Sequence, residues 1–192
     1  MLAAERALDA DPASQMANYA FAVVQYFRGD LGAFHAAAQR ALALNPRCSY
    51  TMAYVGRLFC YSGDWERGIQ LTKRAIQLSP HHPGWYHFGI FFNEYRQRRY
   101  AEALAILQTI NMPDYWVMHF ITAMTQAQLG NRSAAQTEVE RTLQLCPEFE
   151  QFFGRTHLQK WIPNQPDLLE HMLEGVKLAG FRILEDPEDR GN

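Results

Sequence analysis

Residues Arg57–Pro80 read RLFCYSGDWERGIQLTKRAIQLSP, and the end of this stretch recurs upstream at a fixed interval. Arg6-Ala7-Leu8 is followed by Pro12, Arg40-Ala41-Leu42 by Pro46, and Arg74-Ala75-Ile76 by Pro80; the prolines lie 34 apart (46 − 12 and 80 − 46). Gly29-Asp30 and Gly63-Asp64 keep the same interval. A period of about 34 residues marks stacked helix-turn-helix units. The glycine-aspartate pair has a mechanism: glycine takes the left-handed conformation that closes one helix, and aspartate accepts from the free amides that open the next.

Working outward, the first complete unit runs from about Ser14 to Pro46, with helices near 14–28 and 31–44. Ala17, Ala20, Phe21, Val24 and Phe27 recur at helical spacing on the first, and Ala37, Ala41 and Leu44 on the second. The second unit spans Ser49–Pro80 and the third Pro83–Pro113. In the third, Gln97-Arg98-Arg99 stands where the others have Gly-Asp, so its turn must close without glycine. The fourth unit, Asp114–Pro147, regains Gly130-Asn131. The expected organisation is a half-repeat remnant over 1–12, four repeats over 13–147, a capping helix pair over 148–181 and a flexible tail over 182–192. The caps are expected near 148–160 and 167–178, separated by Pro163-Asn164-Gln165-Pro166. Residues 2–10 align with the second half of a repeat's second helix. A start in mid-repeat is what a fragment of a larger protein would give, and its apolar face, Leu2 and Leu8 included, would be frayed or covered by another copy.

Composition narrows the function classes. A chain of 192 residues, 48% hydrophobic and 13% aromatic, can bury one substantial core. The formal charge of −2 leaves no basic stripe for nucleic acid. No apolar run approaches the roughly 20 residues of a membrane span, and Cys48, Cys60 and Cys146 lack paired spacing; both fit a cytoplasmic protein with reduced thiols. No phosphate-binding glycine loop, dinucleotide fingerprint, HExxH or paired-cysteine zinc spacing is present, so no catalytic residue and no cofactor is assigned. His81, His82 and His87 are the best metal candidates. They straddle a turn containing Pro83 and have no carboxylate or cysteine in regular spacing, so a structural role is expected and no metal is assigned.

The second unit resembles the tetratricopeptide repeat (TPR), with Met52, Val55, Gly56, Phe59, Gly68, Thr72 and Pro80 at the family's positions, though the individual letters are loose. The resemblance implies an all-α, right-handed α-α superhelix of about ten or eleven helices. Ser79–Phe88 (SPHHPGWYHF), Ile110–Pro113 (INMP) and Asp167–Gly180 further resemble the TPR module at the C-terminal end of bacterial class III adenylate/guanylate cyclases and some winged-helix regulators. That likeness implies a non-enzymatic signalling module that binds a protein or peptide, or self-associates. It carries no cyclase residue onto this chain.

In TPR arrays the first helix of each unit lines the inner groove. That register implies a groove formed by Tyr19, Tyr26, Tyr50, Arg57, Trp85, Phe88, Phe92 and Tyr95, with Val117, Phe120 and Met124 continuing it. The lysines and asparagines that clamp chaperone C-termini in this family are missing. So apolar a groove is either filled by the chain's own C-terminal helix or a partner, or open to an apolar small molecule or peptide.

Overall fold

The computed structural model describes residues 3–163 and 165–183. Among them the fold is all-α, with twelve α-helices and one 3-10 turn. It divides into two compact units, 1–89 and 90–192.

In the first unit, α1 (Ala3–Ala10) packs on α2 (Gln15–Arg28), tied by an ion pair of 2.9 Å between Glu5 and Arg28. No α1 residue is buried; Leu8 is half-buried, and Leu2 lies outside the described residues. Helix α2 pairs with α3 (Leu31–Leu44), and α4 (Ser49–Tyr61) with α5 (Trp65–Leu78). Where α4 meets α5 there is no room for side chains. A Cβ added to Gly68 would stand 2.4 Å from the Cys60 sulfur and 2.5 Å from the Gly56 carbonyl oxygen. Small residues at both positions are what let the two backbones approach. The first unit's core also holds Met52, Ala53, Ala75 and Tyr86, flanked by Leu71 and Ile76.

After α5, Pro83 holds an extended conformation (φ −61°, ψ 146°), and the chain enters a 3-10 turn, Gly84–His87, before α6 (Phe88–Arg96). In the second unit α7 (Tyr100–Gln108) packs on α8 (Trp116–Gln128), and α8 pairs with α9 (Arg132–Leu145).

The turns repeat one hydrogen-bond pattern. At Gly29 (φ 81°) the glycine amide donates to the Tyr26 carbonyl and the Asp30 amide to the Gln25 carbonyl. The same pair of bonds closes the helices at Gly63 (φ 102°), Gly130 (φ 79°) and Gly180 (φ 97°). This is the Schellman arrangement, which satisfies two carbonyls that a helix end leaves free. The turn without glycine closes in the same way. Arg98 takes φ 60°, donates to Tyr95, and Arg99 donates to Glu94. A left-handed conformation costs a residue with a Cβ on the order of 1–2 kcal/mol, which the two backbone bonds offset. One expectation is corrected at the opening of α5: Asp30 caps α3 through Ala33, but the Asp64 side chain makes no capping bond.

The C-terminal cap also differs from the expected helix pair. The helix expected over 148–160 is broken into α10 (Phe149–Phe152) and α11 (Arg155–Trp161), because Phe153 and Gly154 are extended. That break turns Phe153 inward, where its ring stacks on Phe149 at 4.4 Å and meets Phe120 at 4.7 Å. The last helix, α12 (Pro166–Ala179), lies against α8, α9 and α11, and Arg155 forks onto Glu170. Of the segment expected as a tail over 182–192, residues 184–192 lie outside the described residues.

Candidate functional site

The inner-face register has different fates in the two units. In the first unit, Tyr50, Tyr54 and Arg57 lie at i, i+4 and i+7 of α4 and therefore share one face. Tyr19 of α2 meets the Tyr54 ring edge-on at 5.5 Å and the Tyr50 ring at 6.1 Å. Trp85, held by the 3-10 turn, meets Tyr50 at 5.4 Å and Tyr54 at 5.9 Å. Tyr50 is 47% exposed, and Tyr19, Tyr54, Arg57 and Trp85 are half-buried. The cluster is thus an aromatic surface open to solvent.

Arg57 stands within it. Its guanidinium carbon lies 4.4 Å from the centroid of the Tyr54 ring and 5.3 Å from that of Trp85. Among the described residues it makes no ion pair, and its Nε is buried with no hydrogen-bond acceptor. Burial, with the Tyr50 and Tyr54 phenols next, pushes the Tyr19 hydroxyl well above its ordinary range against the pull of Arg57. Tyr19 therefore remains a neutral donor.

The other expected groove residues are not open. Tyr26 is 1% exposed and packs edge-on against Phe34 in the first unit's core, its pKa raised by burial. Phe88, Phe92 and Tyr95 are 4%, 3% and 0% exposed, which corrects their expected place on an accessible groove. For Tyr95 the reason is visible: α12 lies over it. His171 stacks on the Tyr95 ring at 4.8 Å, and its Nε2 lies 2.6 Å from the Tyr100 hydroxyl. Gly175 faces the Tyr95 hydroxyl, and Phe181 meets Phe120 at 5.6 Å. The inner-face positions Val117, Phe120 and Met124 are buried as well. In the second unit the chain's own helix occupies this register.

Tyr54 was missed by the family register, which skips the position. The signal was present as the Tyr50-Tyr54-Arg57 spacing.

The three histidines resolve into a pair. His82 Nδ1 donates to the Ser79 carbonyl at 2.8 Å, so its Nε2 is left to accept from His87 Nε2, also at 2.8 Å. His81 is exposed. Among the described residues no three His, Cys, Asp or Glu side chains gather as a metal site, and no helix is long and apolar enough to cross a membrane.

Helix pairs closed by one recurring turn, with glycines at the close approach, define a TPR-like helical-repeat fold. No family model and no curated protein matches the sequence. Among solved structures, YrrB, a TPR protein with an unusual peptide-binding site, matches with a TM-score of 0.56 at 15% identity, over 92% of each chain. The MamA RS-1 ArsTM double mutant matches at 0.58 and 13% identity, over 85% of this chain and 93% of that one. MamA matches at 0.54 and 16% identity, over 82% and 91%. At these identities the likeness is one of fold.

Proposed function

We propose that this chain is a non-enzymatic interaction module and that it binds a peptide segment of a partner protein on the aromatic face of its first unit. The observation that carries the reading is the partly exposed cluster of Tyr19, Tyr50, Tyr54 and Trp85 around Arg57. Aromatic and arginine side chains are the residues that supply most binding energy at protein interfaces. Their register is the one that α12 fills in the second unit, so a helix or strand of backbone is a fitting occupant there. The peptide-binding site of YrrB, on a similar fold, supports the same class of ligand. The resemblance of SPHHPGWYHF and its companion segments to modules of cyclases and winged-helix regulators supports a place in signalling, with the partner recognised in the cytoplasm.

The test is selection of random peptides from a display library on the full chain, followed by binding to a Tyr50→Ala/Tyr54→Ala variant. Both side chains are partly exposed, so the variant should keep most of its melting temperature and lose selected peptides by about tenfold or more. Equal binding by the variant, or no peptide selected, would overturn the reading.

A further inference from the structure

We infer that the partner segment is anchored through a side-chain carboxylate, Asp or Glu, seated on Arg57, with an apolar or aromatic neighbour lying on Tyr50 and Trp85. The inference rests on the peptide-binding reading of this face and names its ligand chemistry.

Arg57 differs from the arginines that the chain pairs with its own carboxylates. Arg28, Arg99, Arg141 and Arg155 each face a carboxylate of this chain, on Glu5, Glu94, Asp114 and Glu170. Arg57 faces rings instead, with Tyr54 and Trp85 at 4.4 and 5.3 Å and Tyr61 at 6.0 Å. A ring face attracts the cation but accepts none of the five N–H groups in the plane of the guanidinium. The rings therefore hold the fork in place and leave its edge without an acceptor, and Nε is already removed from water. Nε is shut off from solvent, so the two terminal amino groups, which are not buried, are the donors that an arriving anion can reach. A carboxylate matches this planar fork with two parallel charge-assisted bonds. The Tyr19 phenol, kept protonated by burial and by Tyr50 and Tyr54, is a neutral donor under the influence of the same cation.

Geometry selects a side-chain carboxylate over a chain terminus. Arg57 is half-buried against Tyr54 and Trp85 while Tyr50 is more exposed, so an acid that projects from its backbone suits the site. The two or three carbons of Asp or Glu provide that projection while the backbone stays above the aromatic face. An α-carboxylate has no such stem, and one cation is a poor match for a chain end that needs several donors.

The experiment is an array of short capped peptides, acetylated and amidated, in which a central dipeptide is varied over all residues. Parallel arms carry a free C-terminus or phosphoserine in place of the acid. Wild-type chain should retain peptides with Asp or Glu beside an apolar or aromatic residue. Arg57→Gln should lose about tenfold or more on those and little on apolar peptides, while Arg57→Lys, a point charge without the fork, should fall between. Should Arg57→Gln unfold by circular dichroism, a salt series on the wild type replaces it: retention of acidic hits should fall from about 0.05 to about 0.5 M salt and that of apolar hits should not. Hits that lack an acid, or an acid preference unchanged in Arg57→Gln or in salt, overturn the inference and leave the peptide-binding reading standing. Retention confined to free C-termini or to phosphoserine overturns the choice of side-chain carboxylate. An array with no retained peptide overturns both.

Discussion

The hydroxyl of Tyr95 occupies the place where a side chain on Gly175 would begin: a Cβ built there would stand 2.2 Å from that oxygen. The hydroxyl lies near the buried Gln128 amide without a hydrogen bond of normal geometry, and the residue is fully buried. Gly175→Ala should therefore destabilise the protein by roughly 1–3 kcal/mol, the overpacking penalty exceeding the helix-propensity gain of about 1 kcal/mol. Tyr95→Phe alone should change little, and in the Gly175→Ala background it should restore much of the loss. A double-mutant cycle in urea checks this; additive effects would show that the two residues do not compete for the same space.

Gly68 and Gly89 offer a matched comparison within the first unit. A Cβ on Gly68 would meet the Cys60 sulfur, the Gly56 carbonyl and the Cys60 amide at 2.4, 2.5 and 2.7 Å, two of them backbone atoms that cannot swing aside. One on Gly89 would meet its nearest atom, the Cys60 sulfur, at an ordinary 3.4 Å. Gly68→Ala should cost at least about 2 kcal/mol as α4 and α5 are forced apart, while Gly89→Ala should be neutral or stabilising by up to about 1 kcal/mol. Equal melting temperatures for the two variants would remove the close-approach account.

Arg98 closes its turn at φ 60° without the freedom that Gly29, Gly63 and Gly130 have. Replacing it by glycine relieves about 1–2 kcal/mol of left-handed strain and adds somewhat less than that in unfolded-state entropy. Arg98→Gly is expected to raise stability by about 0.5 kcal/mol in denaturant unfolding, and Arg98→Val, β-branched at positive φ, to lower it by more.

Protonation should loosen α12. His171 is held below the ordinary histidine range by burial first and then by the Arg98 charge, with Glu174 opposing. The Tyr100 hydroxyl contacts its Nε2 and the Tyr95 ring covers one face. A folded-state pKa below the unfolded value of about 6.5 means that the unfolded chain takes the proton first. The stabilisation is present above about pH 6.5 and is lost as pH falls through the folded pKa. Burial lowers His35, His87 and His157 in the same direction. Amide protection of α12 should thus drop between about pH 7.5 and about pH 5, and the drop should be smaller in His171→Asn. Protection that stays level across this range would contradict the assignment.

Much of the fold could be read from Gly29-Asp30, Gly63-Asp64 and the spaced prolines, because a repeated turn needs the same backbone chemistry each time. Arg98 was readable as a turn without glycine, though not that it would adopt the glycine conformation. The candidate site was half legible. Helical register places Tyr95, Phe120 and Tyr50 on one kind of face, but it cannot say what covers that face. What covers Tyr95 is α12, a non-repeating segment whose docking depends on His171 and Gly175 meeting a residue some 80 positions earlier (175 − 95). The split of the cap was partly legible, since Gly154 weakens a helix interior; what the sequence does not show is the pull on Phe153 from Phe149 and Phe120.

Tethering gives α12 an advantage that no diffusing ligand has. Joined to α11 by residues 162–165, it confronts the Tyr95 and Phe120 face at an effective concentration in the millimolar range. A free peptide of the same intrinsic affinity, present at micromolar concentration, would be outcompeted there about a thousandfold, or about 4 kcal/mol. Among the described residues of the first unit, the Tyr50 and Trp85 face meets no such competitor. Two surfaces built on one register would thus differ in vacancy through chain connectivity, before any difference in their side-chain chemistry is considered.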